Sequence, residues 1–372
     1  MWFFIFLAAI VASLIGICYV SVCISKFGIF SKLNQPGRSE RAIRNKRIRY
    51  FLSFMLLLVG IIALSLIFTL INAILIFLFL FAFFIIYGII IYIIKRISKR
   101  DDEHIYWQGW LAIVSTVLYF VLGYFLCNHV WQTDYAIKSS KDVNLRIALI
   151  ADSHLSATLD GDAFAENMKR IEAAKPDVLL ISGDFVDDSS KKEDMLKACQ
   201  VLGQMKLKYG VYFAYGNHDE GYFNNRDFSA DDLKKALLSN GVHVMEDSYE
   251  LVEDKFYIVG RLDKTLSKDR LHIDELLEDL DENKYIIVMD HEPNDYRNEA
   301  ESSADLVISG HTHGGQLMPI NYLGQWFGLN DRTYGYENRK DTDFIVTSGI
   351  SDWELKFKTG TKSEYVIIDV NN

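Results

Sequence analysis

An α/β domain preceded by an all-α transmembrane region is the fold class that this 372-residue sequence predicts, and two observations carry it. The first 130 residues contain uncharged runs long enough to cross a bilayer. The remainder alternates short apolar runs with amphipathic stretches, and five of those runs end in a polar patch.

The membrane region comes first. Residues 1–25 carry no charged side chain and suit a hydrocarbon core of about 30 Å. They lack a basic leading segment and a small-residue cleavage pattern, so a retained span is expected rather than a signal peptide. Residues 51–94 form a run of 44 uncharged positions. As one helix this run would reach about 66 Å, roughly twice a bilayer, so it is expected to turn. Asn72, near the midpoint, is the expected hairpin tip, giving spans at 51–71 and 73–94. A fourth span is expected at 107–130, with Trp107, Trp110 and Trp131 as interfacial aromatics near its ends. The spans hold no charged residue, as an inert anchor would have it and a transport module would not.

Orientation follows from the basic residues. Segment 26–50 carries Lys26, Lys32, Arg38, Arg41, Arg44, Lys46, Arg47 and Arg49 against Glu40, and segment 95–100 adds Lys95, Arg96, Lys99 and Arg100. Both are expected on the cytoplasmic side. With four spans, everything after residue 131 lies outside, which makes the chain a multi-pass protein of the cell membrane with an extracytoplasmic domain. A single re-entrant unit over 51–94 would reverse that parity. Residues 131–142 read as a short polar connector and 143–372 as the domain itself. A site tethered so close to a bilayer would favour amphiphilic substrates already concentrated there.

Within the domain, runs 145–151, 178–182, 211–215, 285–289 and 306–309 are short, apolar and rich in β-branched or aromatic residues, as buried strands are. Amphipathic stretches 162–175 and 191–206 between the first three predict crossover helices, hence a β-α-β-α-β start. Residues 231–240 and 269–280 are expected as helices, and 249–261 as a hairpin turning at Glu253-Asp254-Lys255. Strands at 343–347 and 364–370 would complete a second sheet.

Sites in such sheets form at the carboxyl ends of strands, and that is where five polar patches fall. They are Asp152-Ser153-His154, Gly183-Asp184, Gly216-Asn217-His218-Asp219, His291 and Gly310-His311-Thr312-His313. Each alone is an ordinary turn or cap. Jointly, their carboxylates, imidazoles and one amide suit two divalent cations such as Mn, Fe or Zn, and no cysteine sits among them. One carboxylate can bridge a metal pair that clamps phosphate oxygens and activates water, and Asp184 is the natural bridge. The chemistry expected is metal-assisted cleavage of a phosphate ester. Asp188, Asp219 and Asp290 are read as supporting or solvated carboxylates. His104, His129, His243 and His272 lie outside the patches and are read as surface or packing residues. Tyr322, Trp326, Tyr334 and Tyr336 either line a substrate cleft or pack locally.

These five patches, in this order over residues 143 to 370, resemble the calcineurin-like metallophosphoesterase family. The resemblance implies a four-layer αββα sandwich. It implies one metal on Asp152, His154, Asp184 and His313, a second on Asp184, Asn217, His291 and His311, and attack by a metal-activated hydroxide. His218 would be the general acid, with Asp187 as the acidic partner that orients it. Family members acting on phosphoproteins carry an arginine where this chain has Asp188, which argues against a phosphoprotein substrate. The extension Gly310-His311-Thr312-His313-Gly314-Gly315-Gln316 resembles a membrane-anchored or exported branch, some of whose members act on lipid-linked or nucleotide-sugar phosphodiesters.

Charge and cysteine content bound the remaining classes. Of 39 Lys and Arg, 12 lie in residues 1–130, and of 49 Asp and Glu, 4 do, so a net charge of +8 there leaves −18 in the rest. So acidic a domain argues against nucleic-acid binding. Cys18, Cys23, Cys127 and Cys199 give it no disulfide framework. A Gly-x-x-x-x-Gly-Lys loop and a Gly-x-Ser-x-Gly elbow are absent, which disfavours serine-nucleophile catalysis. The expectation is a membrane-anchored, two-metal phosphoesterase cleaving a mono- or diester, with a lipid-linked or cell-envelope substrate as one form. A catalytically weak surface sensor on the same fold is the alternative.

Overall fold

The computed structural model describes residues 2–33, 39–98, 105–223, 225–267 and 269–372. They fall into two units, Met1–Leu122 and Gly123–Asn372. Arg38, Lys99, Arg100 and His104, used in the sequence argument, lie outside the described residues.

The first unit is helical: α1 (Trp2–Ile24), α2 (Glu40–Ile67), α3 (Leu70–Ser98) and the greater part of α4 (Trp107–Asn128). Among the described residues, three helices rather than four are long and apolar enough to cross a membrane, namely α2, α3 and α4. The corresponding part of α1, Ile10–Ile24, is apolar but shorter. Phe51, Leu66, Ile97, Leu118 and Val121 stand exposed on these helices, which suits lipid and not water. The hairpin turn comes earlier than Asn72, at Phe68–Thr69. Thr69 explains the shift: its hydroxyl oxygen accepts from Asn72 N at 3.3 Å and from Asn72 Nδ2 at 2.8 Å, so it caps α3 and draws Asn72 into the first turn.

The second unit runs β1 (Val130–Lys138), β2 (Leu145–Ile150), α5 (Gly161–Ala173), β3 (Val178–Ser182), α6 (Lys192–Gln204), β4 (Val211–Ala214), α7 (Ala230–Ser239) and β5 (His243–Met245). It continues through β6 (Ser248–Val252), β7 (Phe256–Gly260), α8 (Ile273–Leu277), β8 (Tyr285–Met289), α9 (Tyr296–Glu299) and β9 (Leu306–Ser309). Last come α10 (Leu323–Trp326), β10 (Gly335–Arg339), β11 (Thr342–Val346) and β12 (Ser363–Asn371). One six-stranded sheet has the order β1-β12-β2-β3-β4-β5 and the other β10-β11-β9-β8-β7-β6.

Two expectations change here. Residues 131–142 are mostly strand rather than connector: β1 pairs parallel with β12 from Val130 opposite Ser363 to Lys138 opposite Asn371, and its alternation of half-buried and exposed side chains is the period of an edge strand. The last strand joins the first sheet and not the second. β12 lies between parallel β1 and antiparallel β2 and is buried on both faces, with Val366 and Ile368 turned toward the other sheet and Tyr365 and Ile367 toward the helices. The helix expected at 269–280 contracts to α8.

Period-two alternation then builds four layers. Ile147 and Leu149 of β2 point between the sheets, where they meet Leu180, Ile258, Ile287, Ile308, Ile345 and Val366. Their neighbours Ala148 and Ile150 point outward against Phe164 and Met168 of α5, Met195 and Leu202 of α6 and Leu233 of α7. On the far side Val288 and Phe344 pack against Ile273 and Leu276 of α8 and Tyr296 of α9. The order is therefore αββα. Parallel β2, β3 and β4 end beside parallel β8 and β9, and Ser182 Oγ donates across the sheets to Ile308 O at 3.2 Å.

Ile147→Ala should destabilise this unit by about 2–5 kcal/mol, since the site is walled by both sheets and cannot collapse. Denaturant unfolding measures it, and a loss under about 1 kcal/mol would contradict the inter-sheet packing.

Candidate metal centre

The loops that follow β2, β3, β4, β8 and β9 bring the predicted ligands together. Asp152, His154 and His313 offer one ligand atom each, all within 4.8 Å of one another, and so do Asp184, His291 and His311. Donors about 2.0–2.2 Å from a first-row cation have such separations. Asp184 Oδ2 faces both groups, 3.6 Å from His154 Nε2 and 3.1 Å from His291 Nε2. Its other oxygen accepts from His218 N at 2.8 Å. Asn217 Nδ2 donates to Tyr222 OH at 2.7 Å, which leaves Asn217 Oδ1 facing His311 Nδ1 at 2.9 Å.

Local backbone makes this convergence possible and makes it strained. Asp152, His154, Asp184, His311 and His313 all have left-handed φ, between 36° and 69°. Non-glycine residues adopt that region at a cost of order 1–3 kcal/mol each, and only where the surroundings hold them. Gly183 precedes the bridging carboxylate because nothing larger fits: a Cβ there would lie 2.5 Å from His291 Nδ1 and 2.6 Å from Gly216 Cα.

Asp219 supplies much of the hold. This buried carboxylate accepts from Asp184 N, Phe185 N, Val186 N and Gly216 N at 2.7–3.0 Å, tying the loop after β3 to the loop after β4. It is not solvated, as its position in the sequence left open. Asp290 likewise is buried, bonded to Arg261 Nη1 at 2.8 Å and to Arg270. Asp188 accepts from Tyr222 N and Phe223 N at 3.0 and 2.8 Å, so it fixes a loop where an arginine would grip phosphate.

Three of the four imidazoles have a partner beside their other nitrogen, as metal-binding histidines do. His291 Nδ1 donates to Ser182 O at 2.8 Å, leaving Nε2 toward Asp184. Asp352 Oδ1 lies 3.0 Å from His313 Nδ1, and Asp352 in turn meets the fully buried Lys358 ammonium at 3.3 Å and Cys127 Sγ at 3.0 Å. Asp187 changes role. Its Oδ2 lies 3.3 Å from His154 Nδ1, and its Oδ1 accepts from the N and Oγ of Ser189 at 2.7 Å, whereas no hydrogen bond joins it to His218 among the described residues. Asp187 therefore meets His154 in place of the expected His218, because the loop after β2 runs alongside residues 184–190: His154 N donates to Asp184 O at 3.0 Å and Ser190 Oγ to Leu155 O at 2.6 Å. His218 instead packs edge-on to Tyr222 and His154, with ring centroids at 5.1 and 5.2 Å, and beside Trp353 at 5.8 Å.

Electrostatics fit cations. Burial alone would push the Asp184 carboxyl up, yet His291, His154 and His218 hold it well below its usual range. Burial disfavours the His291 and His154 imidazoliums, but Asp184 and Asp187 respectively lead the carboxylates that raise both. Burial and the Asp184 charge push Asp219 up to about 7 against its N–H donors. So concentrated a set of buried carboxylates needs positive charge, and divalent cations in place of imidazole protons supply it. Consistent with a liganding role, Nε2 of His154 and of His291 are buried and make no hydrogen bond. Burial and His154 lower His218 to about 4 despite Asp184.

Sequence reasoning missed Asp352, Lys358 and Tyr222 and undervalued Asp219. Asp352 had a signal of the same kind as the five patches, a polar Ser351-Asp352 pair shortly after the apolar run 343–347. Of the four aromatics, Tyr334 and Tyr336 are tied to Glu364 at 2.9 Å and Asp343 at 2.7 Å, whereas Tyr322 and Trp326 stand exposed. His243 stacks on Tyr212 and bonds Glu250 at 2.8 Å, and His129 stacks on Phe125.

An αββα sandwich whose strand ends carry two adjoining groups of imidazoles and carboxylates is suited to hold a pair of divalent cations. The sequence profile of the calcineurin-like phosphoesterases matches residues 145–315. The chain is 35% identical to an uncharacterized metallophosphoesterase of Aquifex aeolicus, over 50% of this chain and 69% of that one. It is 29% identical to a transmembrane protein with metallophosphoesterase domain from Danio rerio, over 59% of this chain but only 52% of the length of that relative. Among solved structures it is similar to a dimetal phosphatase from Danio rerio, with a TM-score of 0.36 and 13% identity over 54% of this chain and 86% of that one. This chain belongs to the metallophosphoesterase family and is a metal-dependent phosphoester hydrolase.

Asp187→Asn should weaken metal retention about 10–100-fold by releasing the His154 ring. Metal analysis of the purified chain after dialysis checks this, and an unchanged metal content with an altered pH profile would return Asp187 to His218.

Proposed function

We propose that the chain is a membrane-anchored phosphoesterase that cleaves a phosphodiester or phosphomonoester at a pair of cations held by Asp152, His154, Asp184, Asn217, His291, His311 and His313. The position of Asp184 Oδ2, between His154 Nε2 and His291 Nε2, carries the reading, because a shared oxygen is what distinguishes a coupled pair from two separate sites. Mn, Fe or Zn matches a donor set of imidazole, carboxylate and amide without thiolate. When bound, such a pair supplies Lewis acidity toward phosphate oxygens and a water made nucleophilic near neutral pH.

The chain's own residues do the rest. His218 stands beside the bridge and outside both ligand groups, where its ring can meet the leaving oxygen. Burial and the neighbouring His154 favour its neutral form, lowering the ring to about 4. A bound phosphate anion would stabilise its protonated form, so substrate binding itself would arm the acid. Tyr222 and Trp353 flank that ring, with centroids 5.1 and 5.8 Å from it. A sensor with a decayed centre would have lost at least one of the seven groups, and all seven are present.

Three apolar helices and relatives named as transmembrane proteins support a membrane protein. The basic residues beside those helices support a multi-pass arrangement with the phosphoesterase domain outside the cytoplasm. There a phosphoester carried on a lipid or in the cell envelope is the substrate class that a tethered site would meet. The uncharged spans give no sign of transport.

Purified full-length chain should hydrolyse a chromogenic phosphodiester or phosphomonoester, lose the activity with chelator and regain it with Mn²⁺ or Zn²⁺. Asp184→Asn should lower both activity and metal content, the former by at least about 10³-fold. His218→Ala should keep its metal and slow esters of poor leaving groups about 10²–10⁴-fold more than esters of nitrophenol. Chelator-resistant hydrolysis would refute the metal reading, and equal slowing of all esters would remove His218 as the acid.

A further inference from the structure

The segment that leads away from the metal centre toward β10 takes no part in the chemistry above. From Gly314 to Asn330 it carries no charged side chain, although residues 131–372 as a whole have a net charge of −18. It is also exposed. Trp326 and Phe327 are 71% and 70% accessible, and Met318, Ile320, Tyr322 and Leu329 are each at least 40% accessible. Leu317 and Asn321 turn inward and hold its base. So many exposed apolar side chains within one uncharged segment of a folded domain point to an interaction site.

Its attachment and its composition say what covers it. Thr359 N and Gly360 N donate to Gln316 O at 2.8 and 3.0 Å, Gln316 Nε2 donates to Phe357 O at 2.7 Å, and Met318 N donates to Thr359 Oγ1 at 3.1 Å. The same short segment supports the last turns of α4: Lys358 N donates to Gly123 O at 3.0 Å and Ser363 Oγ to Cys127 O at 2.7 Å. The loop and the end of a membrane-crossing helix thus rest on one support. Tyrosine and tryptophan among aliphatic side chains, with no charge, are the make-up of segments that lie at the boundary of headgroups and acyl chains.

We propose that residues 316–330 form a lipid-facing finger that seats in the interface of the membrane holding α4, so that the metal centre works at the bilayer surface. The finger begins three residues after His313. Its far end is pinned back to the centre, where Thr312 Oγ1 donates to Thr333 O at 2.6 Å and Asp331 N donates to Pro293 O at 2.7 Å, two residues from His291. A seated finger would therefore fix the height of both ligand groups above the lipid. Because the domain is acidic, attachment rests on apolar burial and needs no anionic headgroup. The inference deepens the membrane-anchored reading and depends on it.

The test places a nitroxide at Phe327→Cys in the full chain, with the exposed Cys18 replaced by serine, in nanodiscs of neutral phosphatidylcholine. A second label at Lys255→Cys on the β6–β7 turn is the reference. Collision with oxygen relative to a water-soluble nickel chelate should be at least about fivefold higher at 327 than at 255. Equal ratios would mean that the finger lies in water, and shielding from both agents would mean that protein covers it; either overturns the proposal. A chain that fails to co-elute with the discs would overturn the membrane reading beneath it. The double variant Trp326→Asp, Phe327→Asp should turn over a phosphodiester anchored in vesicles about tenfold more slowly while keeping its rate on the soluble chromogenic ester. Equal rates on the anchored ester before and after substitution would also overturn it.

Discussion

The centre of this protein depends on one carboxylate that two sets of imidazoles share. Asp184 Oδ2 faces His154 on one side and His291 on the other, and its partner oxygen is held by the backbone of His218. One side chain from each group and the backbone of the proposed acid thus meet a single carboxylate. Its placement is imposed by crowding. β3 ends in Gly183, whose missing Cβ lets the loop after β4 and the His291 ring close in from either side.

That closeness is bought with backbone strain, and the surroundings are organised to contain it. Five of the six grouped residues occupy left-handed φ without being glycine. Asp219 grips four N–H groups of two loops, and Asp152 accepts from His311 N at 2.9 Å, so loops from the two sheets restrain each other. The charged pairs just outside the ligands act in the same direction. Arg261 and Asp290 stand next to His291, and Lys358 and Asp352 stand next to His313, in places where an unpaired charge would be costly.

What was legible in the sequence follows from locality. A ligand at the end of an apolar run announces itself, because residue type and strand end are adjacent in the chain, and all seven residues read in this way are brought together. Asp187 was also found, but its partner was not: whether a carboxylate meets His154 or His218 depends on how two loops return, which spacing does not encode. Asp352 carried a strand-end signal and was passed over, and its role is seen only where the loop after β11 meets the loop after β9. The αββα layering was accessible through resemblance, while strand order was not. β12 carries apolar residues on both faces, and this periodicity alone cannot say which sheet receives it. In the membrane region, the Thr69 cap outweighed Asn72 because a hydroxyl at a helix start satisfies amides that a mid-run asparagine does not.

The membrane part and the hydrolase part meet in composition. Long apolar helices, an acidic domain and an uncharged loop beside the metal centre are the features from which work at a lipid surface is proposed. The central claim is nonetheless about two coupled cations, and electron paramagnetic resonance of the full chain loaded with Mn²⁺ tests it most directly. A carboxylate-bridged pair about 3.5–4 Å apart should give an exchange-coupled multiline spectrum at two equivalents per chain. An isolated six-line Mn²⁺ signal at full loading, or saturation at one equivalent, would contradict the account.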